Sequence, residues 1–235
     1  MQKLWQSFKL NSLLKYSVAI LLIVIPMYPK FPIFNIPGTY VAIRIEDFII
    51  SALVFLLVIY FLKNKRENFL KDKTFLALCF YSLAGLLSII SAIVITNTVV
   101  SHIAFLHWAR RIEYFIPFVV AVAAIKTGKD VKFFLITTIL SSLIVFLYGL
   151  GQINLHFPVI STQNEEYAKG IALRWVPGSR LNSTFGGHYD LAGYMVLVFP
   201  IFLSIFFYIK KYLHRALFFI FVITPLYWMF LQTEA

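Results

Sequence analysis

The chain contains about seven apolar stretches separated by short polar segments. About 20 apolar residues at 1.5 Å each are enough for a helix to cross the hydrocarbon layer of a bilayer. These stretches cover residues 13–28, 46–62, 74–95, 104–125, 133–152, 190–209 and 216–231. The sequence therefore predicts an all-α fold, a polytopic helical transmembrane bundle of about seven spans, in which residues 1–235 form a single transmembrane domain.

Composition supports this interpretation and excludes others. Hydrophobic residues make up 60% of the chain and charged residues 13%, whereas charged residues reach about 25% in soluble domains. The net charge of +11 comes from basic residues that lie between the apolar stretches. They are explained as topology determinants and contacts to anionic membrane lipids, so no nucleic-acid partner is expected. The single cysteine, Cys79, rules out an intrachain disulfide and a multi-cysteine metal site.

The basic residues are distributed unequally between the two ends of the predicted spans. Of the 21 basic residues, 14 fall on one side: in the N-terminal segment, in segment 63–73, and in the turns around residues 126–132 and 210–215. Because cytoplasmic loops are enriched in Lys and Arg, this side is predicted to be cytoplasmic, together with the N-terminus. Segments 27–44 and 96–101 and the longest loop, 153–189, are then external. Within that loop, residues 163–173 are a candidate for a short helix lying on the membrane.

The fourth apolar stretch carries charges near its external start. Arg110, Arg111 and Glu113 follow Trp108 there, and Arg110 with Glu113 has the i, i+3 spacing of an ion pair within one helix. Two interpretations stay open. The arginines and Trp108 can anchor the helix at the membrane interface, or the charged residues can line a functional cavity.

A polar cluster directly precedes the sixth apolar stretch. Residues 180–193 contain Arg, Ser, Thr, His and Asp, and the cluster must lie at the external membrane face. Gly186 and Gly187 permit backbone conformations that bring N–H groups close to an anion, and Asp190 or Tyr189 marks the predicted helix start. A helix N-terminus beside Arg180 would combine free backbone N–H groups with a positively charged side chain, which are the features of an anion-binding site. The alternative is that Asp190 is only a cap, the glycines only a turn and Arg180 only an interfacial anchor.

This cluster also carries a family resemblance. The pattern Arg-x-x-Ser-Thr-Phe-Gly at 180–186, followed by Leu-Ala-Gly at 191–193 and an apolar span, resembles the motif of the O-antigen ligase and polymerase family of bacterial polysaccharide enzymes. Where many members have Asn-Pro-Asn, this chain has Gly-His-Tyr-Asp at 187–190. The resemblance covers the first half of such a protein, and the last span ends just before Ala235. We therefore expect the sequence to be part of a longer chain.

The resemblance implies a membrane glycosyltransferase of the bacterial inner (plasma) membrane, with no cofactor and no metal. Its donor would be a polyprenyl-diphosphate-linked glycan, and its acceptor a hydroxyl of a glycolipid or glycan on the non-cytoplasmic face. Arg180 and Arg174 are the expected diphosphate ligands, since a guanidinium can donate two parallel hydrogen bonds. His188 could accept a proton as a base, but the family's catalytic His belongs to a later loop, which makes His188 a turn residue. The motif does not separate ligase from polymerase.

Two other classes compete with this interpretation. One is a transporter or flippase for an anionic or lipid-linked substrate, and the other is a structural membrane subunit. Transporters usually place polar groups or broken helices near the bilayer midplane. Here the polar residues lie at the predicted external face. This distribution favours an enzyme that acts at the membrane surface over a protein that moves a substrate across the membrane.

Overall fold

The computed structural model describes residues 2–28, 32–35, 42–63, 72–161 and 171–234. In these ranges the chain is almost entirely helical, which confirms the predicted helical membrane fold. The helices are α1 Gln2–Met27, α2 Ile45–Lys63, α3 Lys73–Val94, α4 Ser101–Ala124, α5 Gly128–Asn154, α6 His188–Tyr208, α7 Tyr212–Phe218 and α8 Thr224–Glu234, with a π-helical segment, Phe219–Ile223, joining the last two. The strands are β1 Phe34–Asn35, β2 Ala42–Ile43, β3 Val159–Ser161 and β4 Ile171–Leu173.

Six helices in the described part of the chain are long and apolar enough to cross a membrane, which makes the protein a multi-pass membrane protein. They are Leu10–Met27, Ile45–Lys63, Lys73–Val94, Gly128–Asn154, His188–Tyr208 and Tyr212–Thr233. Helix α4 has 24 residues but is not among them. It carries Arg110, Arg111 and Glu113 within four consecutive positions.

The longest predicted loop, residues 153–189, differs from expectation. Strands β3 and β4 pair antiparallel, with Val159 opposite Leu173 and Ser161 opposite Ile171. The helix predicted over residues 163–173 is therefore wrong for residues 171–173, which form strand β4. Residues 163–170 lie outside the described part of the chain, as do 29–31 and 36–41 of the loop 27–44 and 64–71 of the basic segment.

The chain divides into two compact units. The first contains the N-terminal part of α1 up to Leu21 and residues Asn35–Asp130. The second contains Leu22–Phe34 and residues Val131–Ala235. Helices α1 and α5 contribute to both.

In the first unit, α2 and α4 lie side by side and parallel. In the first turn of α2, Asp47 Oδ2 lies 3.0 Å from Arg110 Nη2 of α4. In the last turn of α2, the Tyr60 hydroxyl accepts a hydrogen bond from Lys126 Nζ, directly after α4, at 2.9 Å. Contacts at both ends mean that α4 extends over the same apolar thickness as α2. This supports α4 as the seventh span, with the charges of Arg110 and Glu113 compensated by neighbouring side chains.

Two further contacts hold the first unit together. Asp130, in the first turn of α5, accepts hydrogen bonds from the backbone N–H and hydroxyl of Thr127 at 2.9 and 2.8 Å and forms an ion pair with Lys15 of α1 at 2.7 Å. On α4, Trp108 donates from Nε1 to the carbonyl of Ser82 on α3 at 2.9 Å. The α4–α5 turn is thereby fixed to α1, and α3 to α4.

The second unit has its core between α5, α6 and the π-helical and α8 segments. Val145, Met195, Phe202, Leu226 and Met229 are buried there. The π-helical segment has a local cause, because a proline inside a helix lacks an N–H and its ring crowds the carbonyl four residues earlier. Pro225 lies two residues after the end of that segment, and the Thr224 hydroxyl between them donates to the carbonyl of Phe219 at 3.1 Å. The widened turn thus keeps this carbonyl hydrogen-bonded.

Candidate functional site

The centre of the polar cluster is part of the core of the second unit. Leu181, Ser183 and Phe185 are only 0%, 1% and 5% exposed. The N–H of Leu181 donates to the carbonyl of Gln232 on α8 at 3.0 Å. The Ser183 hydroxyl donates to the carbonyl of Val145 on α5 at 2.6 Å. These residues connect the helices of the second unit and do not line the cavity described below.

Ser183 is held in an unusual backbone conformation. Its φ of +51° lies in the left-handed region, which is uncommon for a residue with a side chain. The side-chain amide of Gln152 hydrogen-bonds both its N–H and its carbonyl, at 2.8 and 2.9 Å. The next residue, Thr184, donates its hydroxyl to the carbonyl of Pro26 at the end of α1. The motif segment 181–185 therefore joins α8, α5 and α1, through Leu181, Ser183 and Thr184 respectively.

A cavity of about 410 Å³ lies beside this buried segment. Its volume is in the range of small-molecule sites. Its walls come from β3, the last residue of β4 and the segment that follows it, and the first residue of α6. The hydrogen-bonding side chains that line it are Ser161, Arg174, Trp175, Ser179, Arg180, Asn182 and His188. The predicted diphosphate ligands Arg174 and Arg180 are thus brought together at one cavity, both with exposed side chains.

Arg180 and His188 contact each other directly. Arg180 Nη1 lies 2.9 Å from His188 Nε2. A guanidinium has only donors, so Nε2 must accept, which places the ring proton of a neutral imidazole on Nδ1. The Nε2 lone pair is therefore engaged by Arg180. In this arrangement His188 orients the guanidinium and does not present Nε2 as a base.

Helix α6 begins earlier than the sequence suggests. It starts at His188, its N-cap is Gly187, and Asp190 lies within the first turn. The interpretation of Asp190 or Tyr189 as the helix start is therefore corrected. Gly187 has φ −168°, an extended conformation open to any residue, so its conformational freedom is not what the turn uses. With no side-chain cap, the N–H groups of the first turn face outward from a helix end next to Arg180.

Three further residues line the cavity and were not predicted from the sequence. Asn182 is 8% exposed and Ser161 7% exposed, and both line it. Trp175 lines it too, and its buried Nε1 has no hydrogen-bond partner among the described residues. The position of Asn182, two residues after Arg180, was the signal available in the sequence.

The charged residues of α4 belong to the first unit, and none of them lines this cavity. Arg110 forms the expected pair with Glu113, at 3.6 Å between Nε and Oε2, and a closer one with Asp47 at 3.0 Å. Asp47 also accepts a hydrogen bond from the N–H of Arg44 at 2.9 Å. Arg111 is exposed. Arg110 and Glu113 are thus part of the contact between α2 and α4.

A second hollow, of about 290 Å³, runs along α6 and α8 in the second unit. It is lined by Met195, Val196, Phe199, Pro200, Tyr227 and Phe230. Its walls are almost entirely apolar. It therefore suits a hydrocarbon chain and not a polar group.

The described residues contain no group of three or more His, Cys, Asp or Glu side chains that could hold a metal ion. Comparisons with protein-family models, with curated proteins and with solved structures found no match to this chain.

Proposed function

We propose that the protein is a membrane glycosyltransferase of the O-antigen ligase or polymerase type. It transfers a polyprenyl-diphosphate-linked glycan to a hydroxyl of a glycolipid or glycan acceptor during bacterial cell-surface polysaccharide biosynthesis. The observation that carries the proposal is the pair Arg174 and Arg180 at one cavity beside the N-terminus of α6, a helix of membrane-spanning length. Fixed positive charge at the end of such a helix suits a phosphate group joined to a lipid.

The chemistry of transfer explains the need for these groups. The acceptor oxygen forms a bond to the anomeric carbon and loses its proton to a general base, while the bond from that carbon to the diphosphate oxygen breaks. The electron pair of the broken bond remains on the diphosphate. Arg180 stabilises this developing charge with charge-assisted hydrogen bonds, and the N–H groups at the start of α6 add to it. His188 holds the guanidinium in place.

The proposed orientation of the protein in the membrane follows from the distribution of its Lys and Arg residues. With the N-terminus in the cytoplasm of a bacterial cell and the chain in the inner membrane, the cavity faces the non-cytoplasmic side. This orientation requires α4 to cross the membrane although it carries charged residues. The parallel packing of α2 against α4 supports such a crossing. Donor lipids on that face reach the cavity from the bilayer.

The lipid part of the donor requires an apolar binding surface. The apolar hollow along α6 begins at Met195, two turns after the helix start at His188, which is about 10 Å at 1.5 Å per residue. A polyprenyl chain attached to a diphosphate at the α6 N-terminus would enter the hollow at this depth. We therefore propose that it holds the first part of that chain.

A transporter or flippase is the second candidate, because charged side chains within membrane-length helices often mark translocation pathways. Asp47, Arg110 and Glu113 are such residues. Their mutual ion pairs favour a structural role. In vesicles containing the protein and a fluorescent polyprenyl diphosphate, transbilayer movement that depends on Arg110 would support the flippase instead.

The deciding experiment measures binding of polyprenyl diphosphate to the full chain in nanodiscs. Arg180→Ala should weaken binding about 10- to 100-fold, the equivalent of a lost charge-assisted hydrogen bond of about 1.5–3 kcal/mol. Arg180→Lys keeps the charge but loses the planar fork, and should also bind poorly. Arg174→Ala should have a smaller effect, and the exposed Arg111→Ala serves as the matched control. Wild-type affinity in Arg180→Ala would refute the proposed site.

A further inference from the structure

The cavity has two chemically different sides. Arg174, Arg180 and His188 form a cationic and polar side, whereas Asn182, Ser161 and Trp175 form a neutral side. Asn182 and Ser161 are both more than nine-tenths buried. Neither side chain forms a hydrogen bond with another described residue. Their hydrogen-bonding capacity is thus directed into the cavity.

The polar atoms of Asn182 and Ser161 are not among the fully buried side-chain atoms that lack a partner, so water or a ligand in the cavity can reach them. A ligand that displaces this water keeps Asn182 and Ser161 hydrogen-bonded only if it supplies hydrogen bonds of its own. The side-chain amide of Asn182 offers two donors and an acceptor, and the Ser161 hydroxyl offers both. Sugar hydroxyl groups have the same dual character, so they fit this set of groups. An anion would use only the donors of Asn182 and Ser161. An apolar group would leave both the donors and the acceptors without hydrogen bonds.

The neutral side is close to the proposed phosphate ligand. Leu181 points into the core, whereas its neighbours Arg180 and Asn182 both line the cavity. Residues two apart are separated by at most about 7 Å along the backbone. A group bound by Asn182 therefore lies next to a group bound by Arg180. The sugar joined directly to the diphosphate has this position in the donor.

We propose that Asn182 and Ser161 bind the sugar residue attached to the diphosphate of the donor, with the Trp175 ring against its C–H face. The proposal rests on the proposed function and adds a binding site for the sugar. It makes the neutral side a determinant of which glycan is accepted. The cationic side binds any polyprenyl diphosphate.

The test compares two probes on the full chain in nanodiscs: polyprenyl diphosphate and polyprenyl-diphosphate-linked N-acetylglucosamine. The wild type should bind the sugar-bearing probe more tightly. Asn182→Ala should weaken binding of that probe about fivefold to tenfold, the range for one neutral hydrogen bond, and leave the sugar-free probe unchanged. Ser161→Ala should act in the same direction. Asn154→Ala, an exposed asparagine at the end of α5, is the matched control.

The outcomes separate the two proposals. Equal affinity of the wild type for both probes, or equal weakening of both by Asn182→Ala, overturns the sugar site. If Arg180→Ala then still weakens both probes, the proposed function stands without it. If Arg180→Ala weakens neither probe, the proposed function itself fails. Asn182→Leu keeps the side-chain size without adding a charge beside the diphosphate, so it replaces the alanine variant if the latter folds poorly, and Ser161→Ala gives the same readout from a second position.

Discussion

Gln152 and Ser183 exchange two hydrogen bonds across the second unit. Nε2 of Gln152 donates to the carbonyl of Ser183 at 2.9 Å, and the N–H of Ser183 donates to Oε1 at 2.8 Å. Gln152 is completely buried. One side chain on α5 thus satisfies both backbone groups of a residue in a left-handed conformation. It thereby fixes the segment from which Arg180 and Asn182 extend into the cavity.

Replacing Gln152 should therefore destabilise the protein and disturb the site. Gln152→Ala leaves the N–H and the carbonyl of Ser183 buried without these partners, which should cost about 2–4 kcal/mol of the free energy of unfolding. Thermal unfolding of the purified protein in detergent measures this. Asn154→Ala, on the exposed end of the same helix, should shift the transition very little. An unchanged unfolding temperature in Gln152→Ala would contradict the role given to this pair.

Gly151 allows the chain to fold back after α5. A Cβ atom at this position would overlap the ring of Phe157. Gly151→Ala should therefore lower stability by about 1–3 kcal/mol, the usual cost of overpacking. Phe157→Ala in the same chain should relieve much of this loss, which a double-mutant cycle detects. Gly193→Ala is the control, because no atom lies within 4 Å of its Cβ position. Equal losses for the two glycine variants would contradict the contact.

The ion pair between Arg110 and Asp47 should stabilise the contact of α2 with α4. Both side chains are mostly buried, with 19% and 15% exposed. Arg110→Ala leaves Asp47 without this partner and should cost about 1–3 kcal/mol, less than for a fully buried pair. Asp47→Ala combined with Arg110→Ala should cost less than the sum of the single variants. Arg111→Ala, one residue away and exposed, should be nearly neutral. Additive losses would mean that the two charges do not interact.

Helix α4 should cross the membrane despite its charges. In a Cys79→Ser background, a cysteine at Val100, before α4, and one at Lys129, after it, are both at exposed positions. An impermeant maleimide, added to cells with a permeabilised outer membrane, should label position 100 and leave position 129 protected until the inner membrane is opened. Cysteines at Leu155 and Tyr212, which the charge distribution predicts to be external and cytoplasmic, serve as references. Equal labelling at 100 and 129 would mean that α4 does not span the membrane.

The helices themselves could be predicted from the sequence, because hydropathy over about 20 residues is a local property. Helix α3 covers Lys73–Val94 where 74–95 was expected, and α5 and α6 differ from their predicted bounds by only a few residues. The β3–β4 hairpin was missed. Its strands have three residues each, which is too short for a reliable periodicity.

The charges on α4 show where local reasoning ends. The sequence predicted the pair of Arg110 with Glu113, since helix geometry brings residues three apart together. It did not predict Asp47 as the nearer partner, because that residue is 63 positions away and on another helix. Only the packing of α2 against α4 brings these two residues into contact.

The polar cluster before α6 was found from the sequence alone, because its position between a loop and an apolar span requires no knowledge of distant residues. The tertiary structure decided what each polar residue in it does. Ser183 and Thr184 use their hydroxyls on carbonyls of α5 and α1, whereas Arg180 and Asn182 face the cavity. A polar side chain packs into the core where it can hydrogen-bond a buried partner. The partners of Ser183 and Thr184 are the carbonyls of Val145 and Pro26, which are far away in the sequence and come close only in the folded protein.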